Sequence, residues 1–393
     1  MNKRLAVPSQ EFWLDPVCQK DSATWPGTGV REVGGRLESR WGQCKAHSFS
    51  DSRNDRRIDF DQQLVRFLDR APEGKFLIVV DGSQDSGGPA ANLGRQGNPA
   101  ISASIWSDFV GEMANFKINS FTHHERVFLA GSVSAEDIRD QYWATPGFSD
   151  SVVSDLRKGV ELFDGRMAAT LKMILASVGG HRRSGDACLV LTNGGHNLNF
   201  PFGKTMSGFL KRPYVEVQVD FHSDCRPVES VPGFHEGRHS GNHNTRLLSA
   251  GYIERAYFML TDVKWNNLES MALLETDDRI DWQRFSYQEI GGDASAFKEA
   301  TGAIVSDIFR RQPAAPVMVT ICGDTIQPNG GFATSAGKSN KGLTPAEIRV
   351  FLKSLISSGL NVVGVQIAEF NKSLNCRPDD KASGQFLADL VGD

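Results

Sequence analysis

The sequence predicts an α/β fold in which a mainly parallel, eight-stranded sheet lies between helices on both of its faces. Eight strand-like apolar runs alternate with helical stretches along the chain. Several of these runs are almost continuously apolar, as expected for strands that are buried on both faces. Because strands joined by helices form right-handed crossovers, this alternation gives a parallel sheet covered by two helical layers.

The first 56 residues differ from the rest of the chain, since they are rich in Gly, Ser, Arg and Asp and show little periodicity. We expect residues 1–56 to form an N-terminal arm that packs on the body of the protein or on a neighbouring subunit. We see no internal repeat and no linker in the remainder. We therefore expect one domain over residues 57–393.

The predicted elements follow in chain order. Apolar residues at helical spacing predict a first amphipathic helix, and these residues are Ile58, Phe60, Leu64, Phe67 and Leu68. Short apolar runs then predict the strands, which are Phe76–Val80, Val127–Leu129, Cys188–Thr192, Val215–Phe221, Tyr257–Thr261, Asp281–Ser286, Val317–Cys322 and Val362–Ile367.

Helical stretches lie between these strands, for example Val152–Ser177 and Ala294–Arg311. The start of one further helix is well marked. Thr344 offers an N-cap side chain, Pro345 suits the first helical position, and Glu347 suits the acidic position of a capping box.

The composition excludes several classes of protein. Of 393 residues, 40% are hydrophobic and 23% are charged, which is ordinary for a globular protein. The net charge of −4 gives no general attraction to nucleic acid or to an anionic membrane. No apolar run approaches the roughly 20 residues of a membrane-spanning helix. The six cysteines are scattered, which fits a reducing cytoplasm.

The most informative stretch is Asp-x-His-x-Asp, formed by Asp220, His222 and Asp224 at the end of an apolar run. On a strand, this spacing points all three side chains to one side. Where the strand gives way to a loop, such a trio can close on a divalent cation. Another histidine, His196, and another acid, Asp324, also follow strand-like runs. Ligands bind at the carboxyl ends of strands in open α/β sheets. Carboxylate and imidazole ligands together suit Mn, Fe, Ni or Zn.

Two further features lie after strand-like runs. A loop of polar residues contains His239 and His243, either of which is a candidate proton donor to a substrate held over the metal. Glu369 ends the last apolar run, and a carboxylate there could hold an amidinium or guanidinium group.

Taken together, these motifs resemble the arginase and ureohydrolase family over roughly residues 75–393. They occur in the family's order, as a Gly-Gly-His loop, Asp-x-His-x-Asp, a Ser-Gly-Asn loop, a Gly-Asp strand end and Glu-x-Asn. Three segments are most similar to the formimidoylglutamase-like branch, namely 194–197, 238–242 and the Asn-x-Gly-Arg-x-Gly loop in 91–97. Within that loop we expect Asn92 and Arg95 to contact a substrate.

The resemblance implies a three-layer α/β/α sandwich and two Mn²⁺ ions per chain. His196 and Asp224 would then bind the first ion, His222 and Asp324 the second, and Asp220 both. It further implies that Glu369 contacts the amidinium group of a small-molecule substrate and that the carboxylate of the substrate meets Ser240 and Asn242. Asp262, which follows the fifth predicted strand, could instead bind a substrate amine, as an acid in that region does in arginases. Homo-oligomers are common in this family.

The sequence departs from the family pattern at two places. Where the family has Asp-x-Asp, with a first Asp that bridges both metals, this chain has Cys322, Gly323 and Asp324. A thiolate is a soft ligand and Mn²⁺ is a hard ion, so Zn²⁺, Ni²⁺ or Fe²⁺ is an alternative occupant. Where arginases have a His two residues after the Asn of Ser-Gly-Asn, this chain has Asn244, preceded by His243.

Three functions stay open from the sequence. The first is a hydrolase of C–N bonds in linear amidines or guanidines, in which the cation lowers the pKa of the attacking water. The second is a deacetylase-like amide hydrolase with a single metal on Asp220, His222 and Asp324. The third is a non-catalytic relative whose site is altered by Cys322.

Overall fold

A nine-stranded sheet forms the centre of the computed structural model, and eight of its strands run parallel. Its strands lie in the order β1 (Leu14–Pro16), β7 (Val127–Val133), β6 (Phe76–Gln84), β8 (Ala187–Gly194), β13 (Asn361–Ala368), β12 (Pro316–Cys322), β9 (Tyr214–Asp220), β10 (Ile253–Leu260) and β11 (Ile280–Arg284). The structure describes residues 14–16, 18–19, 30–33, 36–39, 41–42, 53–84, 126–133, 135–143, 150–182, 186–228, 239–261, 268–284, 294–326 and 343–369.

All eight strands predicted from the sequence are present, with bounds that differ from the prediction by a few residues. They are β6 (Phe76–Gln84), β7 (Val127–Val133), β8 (Ala187–Gly194), β9 (Tyr214–Asp220), β10 (Ile253–Leu260), β11 (Ile280–Arg284), β12 (Pro316–Cys322) and β13 (Asn361–Ala368). The strands in the middle of the sheet are almost wholly buried, which explains their continuous apolar runs.

The ninth strand comes from within the first 56 residues. Strand β1 (Leu14–Pro16) pairs antiparallel with β7, and the side chain of Leu14 is buried. Four shorter strands form two separate pairs, β2 with β5 and β3 with β4. Their bounds are β2 (Cys18–Gln19), β3 (Val30–Val33), β4 (Arg36–Ser39) and β5 (Trp41–Gly42).

Helices cover both faces of the sheet. One face packs against α6 (Ala294–Arg311) and α7 (Pro345–Ser357). The other face packs against helices that precede these two along the chain, and they are α1 (Arg53–Arg70), α2 (Asp150–His181), α3 (Asn199–Leu210), α4 (His243–Ser249) and α5 (Leu268–Thr276). A helical turn at Glu136–Ile138 continues into a π-helical turn at Arg139–Trp143.

Two predictions about helices can be compared with the structure. Phe60, Leu64 and Leu68 of α1 are buried against the sheet, but Ile58 is more than half exposed and does not belong to that face. Helix α7 begins as predicted, because Thr344 and Glu347 form a reciprocal capping box ahead of its first turn. No helix among the described ranges combines the length and the apolar stretch that crossing a membrane requires.

Candidate metal centre

The Asp-x-His-x-Asp motif lies at the point where β9 ends. Asp220 is the last residue of the strand, so His222 and Asp224 do not continue its alternation as the sequence spacing suggested. The backbone amide of His222 donates to Asp220 Oδ1 over 2.8 Å, and Asp224 has a left-handed φ of 49°. The three side chains therefore converge because the chain turns, and not because it stays extended.

The Gly-Gly-His loop places His196 beside this turn. Strand β8 ends at Gly194, and His196 begins the short 3₁₀ helix that leads into α3. Its Nδ1 atom lies 2.7 Å from Asp224 Oδ2 and 3.2 Å from Asp220 Oδ2. The imidazole is almost completely buried, and it forms a first set of candidate ligands with these two carboxylates.

A second set of candidate ligands lies on the other side of Asp220. His222 Nδ1 is 3.1 Å from Asp324 Oδ2 and 4.0 Å from Asp220 Oδ1. The ligand atoms of Asp220, His222 and Asp324 all lie within 4.8 Å of one another. Asp220 is therefore shared, because its Oδ2 faces the first set and its Oδ1 faces the second.

Cys322 lies between the two sets. It ends β12, which is the neighbour of β9 in the sheet, and its side chain is buried. Its sulfur lies within 4.8 Å of ligand atoms of His196 and Asp220, and also of Asp324 and Glu369. A thiol thus occupies the position where the family pattern has the first Asp of Asp-x-Asp.

Glu369 lies immediately after β13, at the same edge of the sheet. It is mostly buried, and its backbone has a left-handed φ of 64°. Its amide donates to the Gly194 carbonyl over 2.9 Å, which ties the end of β13 to the end of β8. The structure thus places the predicted amidinium contact beside the second ligand set.

His239 and His243, the two candidate proton donors, are both buried and engaged in local contacts. His239 caps the 3₁₀ helix Ser240–Asn242, because its Nδ1 accepts from the Gly241 amide over 3.1 Å. His243 Nδ1 lies 2.7 Å from the Ser240 carbonyl and 3.6 Å from Asp224 Oδ2. His243 is a fourth member of the first set, because its ligand atom lies within 4.8 Å of those of His196 and Asp224.

The structure describes some of the predicted substrate contacts and not others. Ser240 and Asn242 lie in that 3₁₀ helix beside His243, and both are buried. Asn242 Oδ1 accepts from the His239 amide over 3.4 Å. The other three predicted contacts, Asn92, Arg95 and Asp262, lie outside the described residues.

Crowding of buried acids sets the electrostatics of the site. Burial raises the pKa of Asp220 well above its usual value, and the charges of Asp324 and Asp224 raise it further. Burial also raises the pKa of Asp224, but the hydrogen bond from His196 outweighs it and leaves the pKa well below the usual range. A cation between these groups would offset the repulsion among the carboxylates.

The pKa values of His222 and His243 shift in opposite directions. Burial lowers the pKa of His222, but the hydrogen bond and charge of Asp324 outweigh burial and raise it. Burial lowers the pKa of His243 to about 4, although Asp224 acts against this shift. At neutral pH the ring of His243 is therefore uncharged, which is the form that an imidazole needs in a metal ligand set.

The thiol of Cys322 is protonated in this environment. Burial raises its pKa well above the usual value, and the charges of Asp220 and Asp324 add to that shift. A bound cation would reverse the effect, because a coordinating thiol is deprotonated.

The donor set fits divalent cations. Oxygen and nitrogen donors from Asp, Glu and His suit Mn²⁺, Fe²⁺ or Zn²⁺, and Cys322 adds one donor that favours the softer ions. Asp324 Oδ2 is buried, and its near neighbour is His222 Nδ1 at 3.1 Å. A buried carboxylate oxygen beside an imidazole nitrogen is a suitable ligand for a cation.

Two buried residues of the site were missed in the sequence. Gln218 Nε2 donates to Asp220 Oδ2 over 2.7 Å, and Gln218 Oε1 accepts from Asn244 Nδ2 over 2.7 Å. One signal could have found Gln218, since a polar residue two positions before Asp220 on an apolar strand points to the same face as Asp220. Asn244 was noted only as a departure from the arginase pattern.

Comparison with known proteins identifies the family of the chain. A family model described as the arginase family matches residues 124–391. The chain belongs to the arginase family. No curated protein matches it.

Solved structures of arginase-family proteins share the fold. An arginase from Medicago truncatula is 14% identical, with a TM-score of 0.55 over 86% of this chain and 94% of that one. A Trypanosoma cruzi formiminoglutamase with Mn²⁺ is 16% identical, with a TM-score of 0.54 over 84% of this chain and 96% of that one. A formimidoylglutamase from Bacillus subtilis is 14% identical, with a TM-score of 0.54 over 82% and 87%.

Proposed function

We propose that this arginase-family protein is a metal-dependent hydrolase of C–N bonds in linear amidines or guanidines. The observation that carries the proposal is the pair of ligand sets that share Asp220, one containing His196 and Asp224 and the other His222 and Asp324. Membership of the family and the likeness to arginase and formimidoylglutamase structures support the class of reaction, and they leave the substrate open.

The residues would hold two cations, with Mn²⁺ as the expected ion. His196 and Asp224 would hold the first, His222 and Asp324 the second, and Asp220 would contact both. When bound, the cations supply Lewis-acid charge and a water whose pKa is lowered toward neutrality. Carboxylate ligands favour Mn²⁺, whereas Cys322 favours a softer ion such as Zn²⁺.

The side chain that we assign to the substrate cation is that of Glu369. A carboxylate accepts N–H bonds from a planar amidinium or guanidinium group in a bidentate manner. The left-handed backbone at Glu369 and the hydrogen bond that its amide donates to the Gly194 carbonyl fix the backbone of this residue at the edge of the ligand sets. Ser240 has a buried hydroxyl without a hydrogen-bond partner, which suits it to a polar group of the substrate.

His239 and His243 are the two candidates for the proton donor to the leaving nitrogen. Nδ1 of His239 accepts from the Gly241 amide, so the proton of a neutral His239 ring lies on Nε2. His243 lies 3.6 Å from Asp224 Oδ2 and is one of the candidate ligands of the first set. Both residues also order the loop that carries Ser240 and Asn242.

Metal content and substrate turnover together test the proposal. The protein is purified without chelators from medium supplemented with Mn²⁺ and Zn²⁺, and the metal per chain is measured by elemental mass spectrometry. Turnover is then measured on formimino, guanidino and amidino compounds by release of ammonia, formamide or urea. We expect about two ions per chain, by analogy with binuclear hydrolytic sites, and turnover of at least one of these compounds.

The matched variants are Asp220→Asn and Asp307→Asn. Asp220→Asn removes the shared ligand, so we expect turnover at background and loss of bound metal. Asp307 lies on α6 and accepts a hydrogen bond from Tyr257 of β10, and it belongs to none of the candidate ligand groups, so its variant should retain both turnover and metal. Unchanged turnover in Asp220→Asn would contradict the proposal.

A single-metal amide hydrolase is the second candidate, because Asp220, His222 and Asp324 form a complete set by themselves. One Zn²⁺ per chain, retained after His196→Ala, together with hydrolysis of acylated amines, would favour it. Absence of bound metal after reconstitution would instead indicate a non-catalytic family member. A homo-oligomer and a cytoplasmic location remain part of the proposal.

A further inference from the structure

Three side chains at every second position of β9 point to one face of the strand and form a row from the core to the candidate metal centre. Glu216, Gln218 and Asp220 are all fully buried, and they lie at alternate positions of the strand. Gln218 is the middle one. Its amide nitrogen donates to Asp220 Oδ2 over 2.7 Å.

The other end of the Gln218 amide is held by Asn244. Asn244 Nδ2 donates to Gln218 Oε1 over 2.7 Å and also to the Ser223 carbonyl over 2.9 Å. An amide nitrogen has two hydrogens, and both are therefore used. Because Asn244 presents a donor, Gln218 must turn its carbonyl toward Asn244 and its NH₂ group toward Asp220.

These bonds fix the orientation of the Asp220 carboxylate. Oδ2 accepts from Gln218 and faces His196, whereas Oδ1 accepts from the His222 amide and faces His222. With one oxygen fixed on each side, the carboxylate is held across the two ligand sets. A carboxylate free to rotate would lose this arrangement.

We propose that Gln218 and Asn244 are positioning residues that hold Asp220 as the ligand shared by two cations. The inference rests on the metal centre of the proposed function. Asp220 is the carboxylate left to bridge the two cations in this chain, because Cys322 replaces the first Asp of the family's Asp-x-Asp. Asn244 lies where arginases have a histidine, and here its side chain is buried and turned toward Gln218 rather than toward a substrate.

The expected effect is on metal affinity. Loss of a hydrogen-bond partner of a metal ligand weakens metal binding by about 10- to 100-fold. Both oxygens of Asp220 would still be present after such a loss, so the ligand itself is not removed. The measurement therefore reports on orientation.

The experiment titrates Mn²⁺, and separately Zn²⁺, into metal-free protein by calorimetry and records the electron paramagnetic resonance spectrum of bound Mn²⁺. The variants are Gln218→Met and Asn244→Leu, which keep approximate side-chain volume and remove the bonds. The matched control is Thr320→Val. Thr320 pairs with Gln218 across β12 and β9 and is equally buried, but it donates to Glu216 instead of a candidate ligand.

We expect each variant to bind Mn²⁺ about 10- to 100-fold more weakly and to give an altered spectrum. Thr320→Val should stay within about threefold of the unaltered protein, since it leaves the bonds to Asp220 in place. The double variant should be no weaker than Gln218→Met alone, because Asn244 acts through Gln218. Thermal unfolding of the metal-free variants verifies that they fold, and Asn244→Leu provides the test if Gln218→Met does not.

Metal affinities equal to those of the unaltered protein in both variants, or losses that add in the double variant, would overturn the inference. So would a failure of the unaltered protein to bind either ion. Failure of the proposed function is distinguishable, since it appears as bound metal without turnover of any amidine or guanidine. Turnover together with unchanged affinities in the variants would leave the proposed function standing and refute the positioning role.

Discussion

Cys322 ends the strand beside the one that Asp220 ends, and the sulfur of the first lies within 4.8 Å of a carboxylate oxygen of the second. The two residues therefore meet the same pair of candidate cation positions from neighbouring strands. Asp220 can present one oxygen to each position. Cys322 has a single sulfur, which would have to contact both cations if it bridged them. We therefore expect the choice of metal at this centre to depend on the residue at position 322.

Cys322→Asp should shift the metal preference toward Mn²⁺. The change replaces a soft sulfur donor by hard oxygen donors at the position of the family's bridging Asp. We expect the ratio of bound Mn to bound Zn, measured by elemental mass spectrometry after equilibration with both ions, to rise by about tenfold. Cys188→Ala alters a buried thiol on β8 outside the ligand groups and should leave the ratio unchanged. An unaltered ratio in Cys322→Asp would show that position 322 does not contact the metal.

Glu216 should make the stability of the metal-free protein fall as the pH rises. Burial raises its pKa from 4.5 to about 8, against hydrogen bonds from Thr320 and Asn199 that lower it. The folded state therefore binds more protons than the unfolded state between these values. The stabilisation is complete below the unfolded pKa and is lost as the pH rises through about 8.

Urea unfolding between pH 5.5 and 8.5 measures this effect. One proton of difference corresponds to about 1.4 kcal/mol of unfolding free energy per pH unit. Glu216→Gln replaces the carboxyl by an amide of the same shape and removes the titration, so the unfolding free energy of this variant should vary less with pH by this amount. If the unfolding free energies of the two proteins changed with pH in the same way, Glu216 would not carry a proton in the folded state over this range.

Gly323→Ala should destabilise the protein and weaken metal binding. A Cβ atom on Gly323 would lie 3.0 Å from the Glu369 carbonyl oxygen and 3.1 Å from that of Ala368. Both are backbone atoms, so the ends of β12 and β13 would have to move apart, and Asp324 and Glu369 would move with them. Overpacking of this kind costs roughly 1–3 kcal/mol.

The comparison for this prediction is Gly302→Ala on α6, where an added Cβ meets nothing within 4 Å. Removing glycine from a helix interior stabilises by roughly 0.5–1 kcal/mol, so this variant should unfold at the same or a higher temperature. Calorimetric unfolding and Mn²⁺ titration measure both effects. If Gly323→Ala matched Gly302→Ala in both, close approach of the two strand ends would not be required.

The sequence predicted most of the sheet because burial on both faces leaves a direct record in composition. Runs such as Val317–Cys322 read as strands by themselves. Helix α7 was also predictable, since Thr344, Pro345 and Glu347 form a local cap that needs no distant partner. The exposure of Ile58 was not, because a helical repeat does not show which edge of an apolar stripe faces the sheet.

The residue types of the site were likewise readable, since carboxylates and imidazoles after strands mark the carboxyl edge of a parallel sheet. Their arrangement was predictable only in outline. The sequence indicated that Asp220, His222 and Asp224 can close on a cation where the strand gives way to a loop, but it did not show that a turn with a left-handed Asp224 brings them together.

By itself, the sequence determined the order of strands and helices and the candidate metal-ligand motifs, because both depend on local patterns of side chains. Only the tertiary structure decided that Asp220 is shared between two candidate ligand sets, that Cys322 lies between those sets, and that a hydrogen-bonded chain runs from Asn244 through Gln218 to Asp220. These relations join residues from different strands and loops across the sheet edge. Their distances are fixed by packing between elements, which no local pattern specifies.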